Sequence, residues 1–356
     1  MAKDKILVVN PGSTSTKIAL YAGEQSLWQE NIAHSAEEFA AFKTIYAQLP
    51  TRLELVQTTI QSKGTDTSEL AAVAARGGLL PPLAAGAYEV TPYMLEVLEQ
   101  RPVHLHASNL AAGIAYAIAQ PLGIKAYVYD PVTVDEMTDL ARVTGLKEIR
   151  RHGLGHNLNM RAAALRYCAE RQVDYHQVNL IVAHLGGGIT VSLHAHGRII
   201  DMVSDDEGHF SPERAGGLPN YMLLKHVFEN GLTYPEAMKQ LQRRGGLMSH
   251  FGTADLRAVQ QMATAGDPQA ALVLDAMALS IAQSIARLAV DVNGQVDAII
   301  LTGGMAHSAD FTGGIEERVK FIAPVTIIPG ENEMQALAEG IGRVLRGEES
   351  AHVYQA

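Results

Sequence analysis

Apolar runs separated by small polar turns mark out the elements of this 356-residue chain. Near the N-terminus, Ile6-Leu7-Val8-Val9, then Pro11-Gly12-Ser13-Thr14-Ser15-Thr16, then Lys17-Ile18-Ala19-Leu20-Tyr21 predict strand, turn and strand. A polar stretch to about residue 68 has partly helical spacing. Ala71–Ala75 reads as a short buried strand stopping at Arg76-Gly77-Gly78. The spacing then predicts helices over 91–100 and 107–119, a strand Lys125–Tyr129 ending at Asp130-Pro131, and a helix Asn159–Arg171.

The opening pattern returns at Asn179. Leu180–His184, Leu185-Gly186-Gly187-Gly188, Ile189–Leu193 and the turn at Gly197 repeat strand, small-residue turn, strand, glycine turn, strand. A shift of 174 positions lays Asn10 on His184, Gly12 on Gly186, Thr16 on Thr190 and Gly23 on Gly197. A second echo sets Ala71–Ala75 with Arg76-Gly77-Gly78 beside Ala298–Thr302 with Gly303-Gly304. So long a period marks a duplicated half-fold, since solenoid repeats run to about 20–50 residues. The expected fold class is therefore α/β, in two lobes with an inter-lobe cleft. The lobes are set at residues 1–155, with the C-terminal helix at about 335–356 packing back on them, and 156–334.

Composition narrows the class. The 28 basic and 38 acidic residues leave a net charge of −10, which argues against nucleic acid and anionic membranes as partners. One cysteine, Cys168, excludes an intrachain disulfide and reads as a buried, inert thiol in a reducing compartment. The start MAKDKILVVN has no leader pattern. The apolar stretches 108–129 and 271–294 are interrupted by Pro121 and Lys125, and by Asp275, Gln283 and Arg287. Both read as packed helices of a cytoplasmic protein. The 12 methionines read as core filling.

Candidate chemistry sits in the turns. Gly, Ser and Thr expose backbone N–H groups and small hydroxyls, which suits phosphate. Asn10, Ser13 and Lys17 form one such cradle, His184 with Gly186, Gly187 and Gly188 a second, and Thr302-Gly303-Gly304 a third glycine turn. Three in one chain favour a nucleotide. Neither a P-loop nor a dinucleotide turn nor a protein-kinase motif set is present. His194 and His196 alternate with zinc-like spacing but lack a third ligand, so an edge-strand surface is expected there. His152 reads as a surface residue.

The ordered segments NPGSTSTK, ARGG, LHAS, YDP, RHGLGHNLN, HLGGG, DDEGHFSPERAGGLP, GTADLR, LTGG and PGENEM, spread over residues 5–347, resemble the butyrate kinases. These group with the acetate kinases in the superfamily of sugar kinases, heat-shock chaperones and actin. The resemblance implies a duplicated ribonuclease-H-like (actin-like ATPase) core. It also implies ATP/ADP and Mg²⁺ as cofactors, and reversible transfer of the terminal phosphoryl group to a short-chain carboxylate.

It further implies roles. Arg76 and Arg214 would hold the carboxylate and the migrating group, and ordinary ion pairs are the alternative, with Glu207 and Glu213 close to Arg214 in sequence. His156, followed by a helix N-terminus, would sit beside the transferring group. The aromatic residue usual before that histidine is Gly155 here. Asp130, Asn10 and Glu333 would serve the metal, with Glu331 as an alternative to Glu333 and helix capping as another role for each glutamate. His106 falls on the substrate side and Asp255 beside the nucleotide, with Gly303 and Gly304 against adenosine. A homo-oligomer is expected. Acetate, propionate or isobutyrate could replace butyrate. An ATP-binding switch would leave Arg76, His156 and Arg214 without a role, and a sugar kinase would need a general-base Asp that a carboxylate acceptor does not.

Overall fold

The N-terminal runs form an antiparallel meander of β1 (Lys5–Pro11), β2 (Ser15–Ala22) and β3 (Gln25–Ala33). The computed structural model describes residues 4–355 apart from positions 36, 38, 40 and 41, which interrupt the expected partly helical stretch. Two units result, one through Asp135 and again from Asn332, the other Glu136–Glu331.

In the first unit, β4 (Leu70–Ala75) lies parallel to β1, and β6 (Lys125–Tyr129) parallel to β4. The short β5 (Ala87–Glu89) and β12 (His352–Val353) complete the order β12-β5-β6-β4-β1-β2-β3. Alternation along β1 serves two layers. Leu7 and Val9 join the core under helix Leu110–Ala119, while Ile6 meets Gly342 of helix Glu333–Leu345.

In the second unit, β7 (Asn179–Leu185), β8 (Ile189–Ala195), β9 (Arg198–Val203), β10 (Ala298–Gly303) and β11 (Val325–Pro329) take the order β11-β10-β7-β8-β9. Helix Pro268–Ala289 starts with Asp267 accepting from two backbone N–H groups and Pro268 in the first turn. It is long and apolar enough to span a bilayer, and it buries Val273, Met277, Ile281, Ile285 and Leu288 in this unit's core. Helix Asn157–Arg171 packs on β7 and β10 with a separate cluster containing Met160, Ala164 and the buried Cys168. Burial pushes the Cys168 thiol up to about 11, so it stays protonated and unreactive.

The repeat is present as topology, since β3-β2-β1-β4-β6 and β9-β8-β7-β10-β11 share one order. Its register needs a correction. Asn10 pairs with Lys17 and Pro11 with Thr16, whereas His184 pairs with Thr190 and Leu185 with Ile189. The second turn is one residue shorter, so a shift of 174 holds along β1 and β7 and becomes 173 afterwards. Thr16 therefore corresponds to Ile189, and Gly23 to His196; both turn residues have positive φ, 57° and 49°. The irregularities at Leu20/Tyr21 and Leu193/His194 obey the same 173 shift.

Two further expectations differ from the structure. The units divide after Asp135 and Glu331, not after residues 155 and 334. Residues 136–155 bond to β9 and to the loop beyond it: Thr138 N–H donates to Ile200 O (2.9 Å), and Arg151 pairs with Asp201 and Glu207. His194 is not on an edge-strand surface. β8 has neighbours on both sides, and the His194 ring is fully buried, bonded to Tyr175 Oη and Ser192 Oγ. Burial, with the Arg161 charge adding to it, drives its pKa down to about 3. No group of three His, Cys, Asp or Glu side chains suited to a metal occurs among the described residues.

Candidate active site

In the first unit the parallel neighbours β1 and β4 end side by side, which sets Asn10 next to Arg76. Arg76 N–H donates to Val9 O at 3.0 Å, continuing the pairing one residue past β4. Glu333, in the first turn of helix Glu333–Leu345, joins them. Its Oε1 accepts from Arg76 Nε and its Oε2 from Asn10 Nδ2, both at 2.9 Å. Burial alone would raise the Glu333 pKa; the Arg76 charge and hydrogen bond, helped by Asn10 and Lys17, outweigh it and hold the carboxyl below its usual range. Arg76 is 8% exposed, and its Nη2 has no partner among the described residues. Glu333 therefore pairs with the arginine and does not cap its helix. Glu331 is exposed and falls in the second unit.

Asp130 departs from expectation. Its side chain does not reach open space, being 1% exposed with Oδ1 accepting from Gly86 N–H at 2.6 Å. Its backbone takes φ 39°, and its carbonyl accepts from Arg76 Nη1 at 3.4 Å. The buried carboxylate orders the backbone around the arginine. Lys17 and Ser13 are exposed, and Ser13 Oγ lies 3.5 Å from His106 Nε2. Burial first, then the Arg52 charge, lower the His106 pKa.

In the second unit, His184 lies near the end of β7, with Thr302 opposite it on β10. Asn159 Nδ2 donates to His184 Nδ1 at 2.8 Å, placing that ring's proton on Nε2. Burial, and then the proximity of His156, push the His184 pKa well below normal. His156 occupies the N-cap of helix Asn157–Arg171, its ring stacked on His184 and its Nδ1 3.0 Å from Thr190 Oγ1. Gly155 is a glycine for a reason visible here: a Cβ would stand 2.6 Å from Thr190 Cγ2. The Gly186–Gly188 turn abuts this pair, since a Cβ on Gly188 would sit 3.6 Å from His156 Cε1.

The same turn anchors the arginine loop. Gly187 O accepts from Ser211 Oγ (2.8 Å) and Glu213 N–H (3.2 Å). Arg214 Nε bonds Asp205 Oδ2 at 2.9 Å and its Nη1 bonds Glu213 Oε2 at 3.3 Å. The paired carboxylates are thus Asp205 and Glu213; Glu207 instead serves Arg151 and Arg287. Gly303 has φ 91° and packs so closely that a Cβ would meet Leu185 O at 2.4 Å, while Gly304 is open. Asp255 caps helix Leu256–Thr264, accepting from Arg257 N–H at 3.0 Å.

Sequence reasoning missed Arg52 and His209. His209 is buried between Ser284 Oγ and Ile189 O and shapes the loop before Arg214. Arg52 carried a readable signal: it takes the first place in the stripe Arg52, Val56, Ile60, a cation at a core position of helix Leu49–Ser62.

Two sheets of one strand order, each with glycine turns at the ends of its parallel strands, form the duplicated actin-like α/β fold. The acetokinase family model matches residues 125–323. Butyrate kinase 2 of Clostridium acetobutylicum is 44% identical over 355 residues, covering 99% of this chain and all of that one. The solved acetate kinase of Porphyromonas gingivalis superposes with a TM-score of 0.78 at 18% identity, covering 95% of this chain and 99% of that one. A propionate kinase from Francisella tularensis gives 0.75 at 18% identity, covering 96% and 99%. The chain belongs to the acetokinase family of carboxylate kinases.

Proposed function

We propose that this enzyme transfers the terminal phosphoryl group of ATP reversibly to the carboxylate of butyrate, as a cytoplasmic homo-oligomer. End-to-end similarity to a butyrate kinase supports the substrate, and Arg76 supports the chemistry. It is a nearly buried cation, oriented by Glu333 through Nε, with donor capacity to spare for a second anion.

In the proposed reaction a carboxylate oxygen attacks the terminal phosphorus in line as the bond to the bridging oxygen of ADP breaks. No base is needed, because a carboxylic acid is already ionised at neutral pH. Catalysis is then positioning and charge stabilisation. Arg76 would orient the carboxylate, with His106 on the substrate side. His156 would donate to the equatorial oxygens, and Arg214, on releasing Asp205 or Glu213, would hold the transferring group. Asn10, Ser13, Lys17 and the turn at Gly186, Gly187 and Gly188 would bind phosphates, with Gly303, Gly304 and Asp255 on the adenosine side. One carboxylate, Glu333, with the Asn10 amide suits a Mg²⁺ carried mostly by phosphate and water, while the buried Asp130 would act behind them. Bound there, Mg²⁺ would neutralise charge on the terminal phosphates.

The test is hydroxamate formation from Mg-ATP, hydroxylamine and a series of C2–C5 acids. Butyrate should give the highest kcat/KM, with acetate, propionate and isobutyrate lower. No acid-dependent hydroxamate above a His156→Ala control would overturn the reading.

A further inference from the structure

Stripping an arginine of water without a counter-ion is unfavourable, so a protein that does it needs a compensating use for the charge. Arg52 is 1% exposed, and no carboxylate pairs with it among the described residues. Neutral acceptors surround it instead. Nη1 donates to Gly12 O (3.0 Å), Ser15 O (3.3 Å) and Thr16 Oγ1 (2.9 Å). Nε and Nη2 both donate to Gln48 Oε1, at 3.2 and 3.1 Å, and the guanidinium lies 4.7 Å from the centre of the Phe39 ring. Burial pushes its pKa down to about 10, which leaves it charged at neutral pH.

Every turn contact of Arg52 falls within residues 12–16, and this has two effects. The carbonyls of Gly12 and Ser15 are drawn towards the guanidinium, while the exposed Ser13 and Thr14 have N–H groups that donate to nothing among the described residues. A positive charge without an opposing carboxylate also lies beside those amides. Its influence reaches His106, next to Ser13. Thr16 carries the order onward, since its Oγ1 also lies 2.8 Å from His34 Nε2.

We infer that Arg52 is a positioning residue for anion binding: it clamps the Gly12–Thr16 turn from the protein side and supplies the charge that a phosphate at the Ser13 and Thr14 amides completes. The inference rests on the proposed reaction only in taking that phosphate, during turnover, to belong to ATP.

The test uses the full chain with Arg52→Met, which keeps an apolar stem, and Arg52→Lys, which keeps the charge but cannot reach the same set of acceptors. Thermal shift is titrated with inorganic phosphate, and KM for ATP, KM for butyrate and kcat are measured alongside. For Arg52→Met, the phosphate needed for half-maximal stabilisation and the KM for ATP should both rise about tenfold, with KM for butyrate within about twofold. Arg52→Lys should fall between. If Arg52→Met fails to fold, the lysine variant decides, with a rise of about threefold expected. A folded variant with wild-type phosphate response and wild-type KM for ATP overturns the inference, leaving Arg52 a packing residue. If wild type proves inactive on every carboxylate while the phosphate titration still separates the variants, the proposed reaction falls and the role of Arg52 stands.

Discussion

The imidazole of His156 lies flat on that of His184, ring centres 4.0 Å apart and planes 14° from parallel. Two cations cannot share so short a spacing at low cost, and burial, then the proximity of His156, keeps His184 neutral while Asn159 donates to its Nδ1. The stack therefore offers one imidazole to charge or donate, against a partner fixed in one tautomer. Substituting His156→Ala should lower kcat by about 10²–10³-fold, with KM for ATP and for the acid changed only severalfold. Steady-state kinetics by the hydroxamate method checks this; a loss confined to KM would contradict it.

Gly155 and Thr190 set the edge of that stack. In Gly155→Ala the new methyl would displace Thr190, whose hydroxyl holds His156 Nδ1. We expect kcat to fall about tenfold. Adding Thr190→Ser removes the crowded Cγ2, keeps the hydroxyl and should recover part of the loss. A double variant no better than the single one would show that the crowding lies elsewhere.

Acid should weaken the second unit through buried histidines. His184, His194 and His209 all have pKa values lowered first by burial, and in the unfolded chain each returns to about 6.5. Below that pH the unfolded state binds protons that the native state refuses, so stability falls as pH drops from 6.5 towards the depressed native values. Each histidine contributes a slope of up to about 1.4 kcal/mol per pH unit in that window. Urea unfolding at pH 7.5, 6.0 and 5.0 measures the total, and His194→Gln should make it shallower by about one proton. An unchanged slope in that variant would refute the assignment.

Glu333 makes a different forecast, because its carboxyl is held low. Its contribution is present above the ordinary glutamate pKa and is lost only as pH falls below about 4. At neutral pH, Glu333→Gln should cost about 1–2 kcal/mol, as the pair with Arg76 is only partly buried. It should also raise the Mg²⁺ concentration for half-maximal activity about tenfold. Activity against free Mg²⁺ at fixed ATP tests the second effect separately from the first.

The strands and their turns were legible because local rules write them: β-branched runs for β1, β7 and β10, and glycine where φ is positive, as at Gly303. The duplication was legible for the same reason. What escaped depended on partners remote in sequence. His194 alternates like a surface residue, yet Tyr175 and the helix Asn157–Arg171 cover its face. Glu207 and Glu213 both adjoin Arg214 in sequence, and only the loop path decides that Asp205 and Glu213 take it. Asp130 looked outward from its strand end, and the left-handed backbone there turned it towards Gly86. Of the candidate site, the resemblance already grouped Asn10 with Glu333; that Glu333 also holds Arg76 is a contact across more than 250 residues, which no local pattern encodes.

The single residue separating the two first turns is taken up without disturbing either hairpin. Side chains along a strand change face at every step, yet Asn10 faces Lys17 as His184 faces Thr190, so the extra residue stays in the turn and both second strands present the same faces. The two halves thus keep one strand order and differ where the chain turns, so a loop and not a strand carries their divergence.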